Sequence, residues 1–175
     1  MTLCDLASFG LSGTRGFLPH EDPLLKLPQS EFAPWEELAQ GLPKYMAALS
    51  VRRAVNAMPE FPVSLIASDQ QLKRAMMILS FIGHAYVYGE RPVADRLPAI
   101  LAKPWYEVSK KMGRPPVLSY ESYALDNWRR IDPNGPIAMG NIALIQNFLG
   151  GIDEEWFVIV HVDIEAKAGQ ALNAI

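Results

Sequence analysis

A chain of 175 residues, half of them hydrophobic and a fifth charged, falls in the range of ordinary globular domains, which excludes disorder as the default and leaves room for one compact core or slightly more. The formal charge of −3, with 16 basic residues mixed among 19 acidic ones, lacks the clustered positive charge that nucleic acid or an anionic membrane surface requires, so a small or uncharged ligand is expected. A single cysteine, Cys4, makes no internal disulfide, and no second thiol or histidine-rich tract offers a zinc set, which points to a reducing cytosol.

Met1 to Gly16 carries neither a basic start nor a long apolar run, so the expectation is a soluble, cytoplasmic protein without secretory signal or membrane span. Pro19, Pro23, Pro28, Pro34 and Pro43 then restrict the chain to short helical pieces. Pro34 to Ala39 reads as a first helical turn with early proline and carboxylates at the positive end of the dipole, stopping at Gly41 and placing Trp35 and Leu38 on one face. Apolar spacing predicts one helix from Leu42 to Met58. Asp69 to Tyr88 is the clearest helix, with Asp69 as its N-terminal cap.

Leu97 to Met112 predicts a further helix interrupted at Pro104, and Gly113-Arg114-Pro115-Pro116 ends it. Val117 to Arg130 and Gly140 to Phe148 read as helices joined by the turn Asp132-Pro133-Asn134-Gly135-Pro136. The last element starts near Asp153. Its Trp156 to Val162 stretch favours strand and its Glu165 to Ala168 stretch favours helix. Length and the acidic first turn decide for a buried helix, and one so apolar needs more cover than this chain supplies.

Three histidines allow ligation to be weighed singly. His20 sits in a polar loop and reads as exposed. His84 lies on the apolar Asp69–Tyr88 helix, where a core histidine with a hydrogen-bond partner is the plain reading. His161 shares a helical face with Phe157 and Glu165 at i, i+4 and i+8, which suits either a ligand-facing imidazole or a structural one paired with backbone or carboxylate. Tyr120, Tyr123 and Ala124 share another face, and periodicity leaves open whether they form core or binding site. No phosphate loop, CxxC pair, nucleophile elbow or HExxH is present. From the residues alone the chain is a mostly helical soluble domain.

Several phrases, in order, resemble the indoleamine 2,3-dioxygenase family. They are Arg15-Gly16-Phe17-Leu18-Pro19, Trp35-Glu36-Glu37-Leu38, Leu79 to Gly89 around His84, Gly113 to Tyr120, Leu125-Asp126-Asn127-Trp128, Asp132-Pro133-Asn134, Phe148, and Trp156 to Glu165. The resemblance covers nearly the whole chain. It implies a mainly α protein, with a small distal-cap domain at 1–147 and, from 148–175, the start of the large all-helical haem domain. It further implies haem b as cofactor, tryptophan or another indole and O2 as partners, and opening of the indole ring to give N-formylkynurenine, with no nucleic-acid or membrane partner.

By the same resemblance Tyr120, Tyr123, Ala124, Phe157 and Val158 bind substrate, Tyr120 and His161 face the distal side of haem, and His161 is catalytic through the indole N–H. No metal ligand maps to this chain, since the family's proximal haem histidine corresponds to a position beyond residue 175. A separate or cleaved carboxy-terminal half is the expected partner. Two alternatives stand beside the dioxygenase: a non-catalytic haem protein that binds O2, and a haem-free fragment that exposes the apolar face of residues 156–168.

Overall fold

The structure, a computed structural model, describes residues 6–172 and residue 174; Cys4 lies outside them. It is mainly helical, in agreement with the sequence. Short 3₁₀ turns at Leu6–Phe9, Ser30–Phe32 and Val63–Leu65 punctuate the first third. Helices α1 (Ala33–Gln40), α2 (Leu42–Ala47) and α3 (Val51–Asn56) surround the central α4 (Asp69–Tyr88), which α5 (Ala99–Met112) crosses. A π-helical turn (Glu121–Leu125) leads into an antiparallel hairpin of β1 (Trp128–Arg130) and β2 (Ile142–Leu144), and α6 (Ile152–Leu172) packs over both. No helix among the described residues is long and apolar enough to cross a membrane.

The core is built around α4. Its buried run from Ala75 to Ile82 meets Phe32, Trp35 and Leu38 from α1 and its approach, Val51 and Val55 from α3, and Leu101, Trp105 and Val108 from α5. Each large side chain so buried contributes about 1.5–3 kcal/mol relative to exposure. Trp35 and Leu38 do share the buried face of α1, with Trp35 Nε1 donating to the Pro59 carbonyl at 3.1 Å. Gly83 permits the α4–α5 crossing, because a Cβ there would overlap the Trp105 ring. One ion pair sits inside this core: Arg74 donates to both oxygens of Glu36, at 2.6 and 3.2 Å, and Glu36 also accepts from the Leu27 amide at 2.8 Å. A second, smaller cluster joins Leu18, Ala124, Trp128 and Ile142 to Val158, Ile159 and Val162 of α6.

Four expectations are corrected. The helix predicted over Leu42–Met58 is two helices, parted where Leu49 takes a left-handed φ of 49°. Ser68, not Asp69, caps α4, its hydroxyl accepting from the Gln71 amide. Pro104 does not interrupt α5, whose buried face holds the helix together through it. The stretch 117–130 is helical only over the short π turn, and its end pairs with part of 140–148 in the hairpin, Trp128 to Leu144 and Arg130 to Ile142. Short apolar runs do not distinguish helix from strand, and the Asp132–Pro136 turn, held by Asn141, supplies the hairpin connection.

The helix expected from Asp153 is α6, but only one side of it is buried. Val158, Ile159 and Val162 face the second cluster, whereas Trp156 (56% exposed), Phe157 (51%) and Ile164 (57%) face outward. Its acidic first turn does more than complement the dipole: the Glu154 carboxylate accepts from the amides of Phe148, Leu149 and Gly150.

Candidate functional site on the outer face of α6

The π turn decides where the two tyrosines go. Its wide i→i+5 bond, from the Asp126 amide to the Glu121 carbonyl at 2.8 Å, displaces the backbone from regular α geometry. Asn127 then takes up a freed carbonyl: its Nδ2 donates to Tyr123 O at 3.0 Å and to Gln146 O at 2.8 Å, while its Oδ1 accepts from the Gln146 amide at 2.8 Å. Gln146 Nε2 in turn donates to Ala39 O of α1 at 2.6 Å. The turn bearing the tyrosines is thereby tied to the core on one side and to the strand leaving the hairpin on the other.

On α6, four-residue spacing brings Phe157 and His161 together, tilted at 45° with ring centroids 4.4 Å apart. Tyr120 meets His161 edge-on at 5.9 Å, and Tyr123 lies 6.1 Å from Phe157. The result is an open aromatic panel with an imidazole at its centre. His161 Nδ1 is 2.5 Å from the Phe157 carbonyl oxygen. A carbonyl only accepts, so Nδ1 is the donor in this contact, and in the neutral ring the lone pair then sits on Nε2. Tyr120 donates its hydroxyl to Glu165 Oε1 at 3.0 Å. Burial, this hydrogen bond and the Glu165 charge push Tyr120 up to about 12, and burial with the Glu154 charge raises Tyr123 as well. Both phenols therefore stay neutral and protonated at physiological pH.

Of the residues singled out from the sequence, Tyr120, Tyr123, Phe157 and His161 come together on this face. Ala124 and Val158 do not reach it: both are fully buried in the second cluster, one layer beneath the rings. Glu165 joins the panel through Tyr120, a contact between residues 45 apart in the chain that helical periodicity cannot foresee. His20 is exposed on its loop. His84 is a structural histidine, its Nδ1 3.0 Å from Ser80 O and its ring against Tyr88 and Trp105.

The panel suits one face of a large planar aromatic group. It offers exposed rings for stacking and one imidazole among them, a lining compatible with an aromatic ligand or the face of a porphyrin. Among the described residues no cluster of three or more His, Cys, Asp or Glu could hold a metal ion.

Comparison with known proteins identifies the family. The family model described as indoleamine 2,3-dioxygenase matches residues 5–175. The rat protein indoleamine 2,3-dioxygenase 1 is 35% identical over 160 residues, 90% of this chain and 39% of its own length. Human indoleamine 2,3-dioxygenase 2 is 34% identical over 97% of this chain and 42% of its own length. A 6-hydroxytryptophan 2,3-dioxygenase of Fusarium equiseti is 31% identical, again over 97% of the chain and 42% of its length. The chain thus spans about two-fifths of these relatives. The match over residues 5–175 takes in every element that builds the panel, and the chain belongs to the indoleamine 2,3-dioxygenase family.

Proposed function

We propose that this chain supplies the distal, substrate-side part of a cytoplasmic, haem-dependent dioxygenase that opens the indole ring of tryptophan with O2 to give N-formylkynurenine. Residues 1–147 form the small distal-cap domain in this reading, and 148–175 begin the large helical haem domain. The observation that carries it is the imidazole of His161, anchored through Nδ1 to Phe157 O at the centre of an aromatic panel, with Nε2 left for a ligand. The names of the relatives supply the reaction class.

In the assembled site His161 Nε2 accepts the indole N–H, which orients the ring and draws electron density toward the carbons to be cleaved. The Phe157 face packs on the indole, and Tyr120, held by Glu165, walls the imidazole. Tyr123 backs Phe157, while Ala124 and Val158 set the depth of the panel from beneath. Bound haem b would lie against Tyr120 and His161 and supply the activation of O2. A histidine that would hold its iron is assigned to the part of the family's length that residues 1–175 do not cover, on the same or a separate polypeptide.

The test uses the haem-loaded, assembled protein with L-tryptophan. Turnover to N-formylkynurenine is expected, and His161→Ala should lower turnover or substrate affinity with haem content nearly unchanged. Stable O2 binding without consumption of tryptophan overturns the dioxygenase assignment. Loss of haem in the variant would make His161 an axial ligand.

A further inference from the structure

In a regular α-helix the Asn127 amide would donate to the Tyr123 carbonyl, four residues back. Here it donates to Ala124 O at 3.1 Å, while the amide before it, that of Asp126, reaches five residues back to Glu121 O at 2.8 Å. Tyr123 O is taken instead by Asn127 Nδ2 at 3.0 Å, and Leu125 O by Trp128 Nε1 at 2.8 Å. The Asn127 side chain thus occupies the acceptor that its own backbone would use in the α register. This is the competition through which asparagine draws a backbone out of a helix.

The competing amide is itself fixed. Asn127 is fully buried, and its bonds to both the amide and the carbonyl of Gln146, each 2.8 Å, hold it to the segment after β2. A buried amide adds little net stability, since its bonds to water are exchanged for these. What it adds here is a single register. A slip of one residue turns a helix by about 100°. Tyr120 precedes the turn and Tyr123 lies inside it, so the register sets the angle between the two rings and whether both can meet α6.

We infer that Asn127 is a positioning residue for the aromatic panel. Its amide holds the π register, which keeps Tyr123 between Phe81 and Phe157 and Tyr120 edge-on to His161, and through those rings it sets the affinity for a planar aromatic ligand. The inference rests on the reading of the panel as the indole site, but the ring contacts can be measured with no ligand present.

Nuclear Overhauser contacts between the rings of Tyr123 and Phe157, and of Tyr120 and His161, are expected in the full chain. Asn127→Ala should lose both while helical content by circular dichroism is kept. Val55→Ala, which opens a cavity in the main core, serves as a destabilised comparator and should keep both. In the haem-loaded, assembled protein Asn127→Ala should raise KM for L-tryptophan about tenfold, the loss that goes with one or two misplaced ring contacts, with haem content unchanged. Asn127→Asp has the same shape and still accepts from the Gln146 amide, but an ionised carboxylate donates nothing to Tyr123 O; it decides the matter if the alanine variant fails to fold. Ring contacts that persist without the amide, or a KM that moves no further than in Val55→Ala, overturn the inference. If the unaltered assembled protein leaves L-tryptophan unchanged, the indole reading fails, and the ring contacts alone decide the role of Asn127.

Discussion

Gly16 and Gly169 meet backbone to backbone: a Cβ on Gly16 would come 3.0 Å from the Gly169 amide nitrogen, and one on Gly169 would come 2.8 Å from that of Gly16. The Gly16 Cβ would also overlap the Glu165 carbonyl, and Gly16 has a left-handed φ of 60°. The amino-terminal loop thus lies directly on the far end of α6, beside the residue that holds Tyr120.

Gly16→Ala should therefore combine a conformational and a steric cost. Gly113→Ala isolates the first, since its φ is 66° and nothing lies within 4 Å of its Cβ. A left-handed alanine alone costs about 1–2 kcal/mol. Thermal or denaturant unfolding should show Gly16→Ala losing clearly more than Gly113→Ala; equal losses would mean that the loop shifts away from α6 freely.

Removing one half of the buried Glu36–Arg74 pair leaves an uncompensated charge in the main core. Arg74→Met is expected to destabilise the chain by about 3–5 kcal/mol, with Glu36 and the Leu27 amide left facing apolar surroundings. Replacing both partners by apolar residues should recover much of that loss in a double-mutant comparison.

Asp126 acts in the opposite sense. Its carboxyl rises from an ordinary 3.8 to about 6 because burial outweighs the attraction of Lys73. As pH rises from 3.8 to 6 the unfolded chain gives up this proton first, so native stability falls across that window and stays lower above it. Asp126→Asn removes the penalty. Its melting temperature should exceed that of the unaltered chain at pH 7, by up to about 3 kcal/mol in stability, and the gap should close toward pH 4.

For Asp22 burial also works to raise the carboxyl, but hydrogen bonds from Arg130 and Arg15 prevail and hold it below 3.8. Its stabilising contribution is present above that pH and is lost as pH falls through the lowered value. Asp22→Asn should cost about 1 kcal/mol at neutral pH, in keeping with a partly exposed pair. The deficit should disappear in acid, as unfolding at pH 7 and pH 2 would show.

What could be read from the sequence was local. The end of α5 at Gly113, the Asp132–Pro136 turn and the row Phe157–His161 each depend on residues a few positions apart, and each is found. The hairpin was hidden because strands of three residues are too short to show alternation. The break at Leu49 was hidden because a leucine, not a glycine, adopts the left-handed turn. Within the panel, Ala124 and Val158 share helical turns with Tyr123 and Phe157, but which of them faces outward is set by the docking of α6 on the hairpin. That docking joins segments distant in the chain, as does the Tyr120–Glu165 bond.

Phe157 is the outer ring of a column that runs inward through Tyr123, at 6.1 Å, to Phe81, stacked at 5.7 Å, and on to Phe148, at 4.5 Å. Each ring shields or deshields the nuclei above and below it according to its tilt. A flat molecule settling on Phe157 would thus shift the ring protons of Phe157 itself and of Tyr123 just behind it, a magnetic record of occupancy at the outer end of the column.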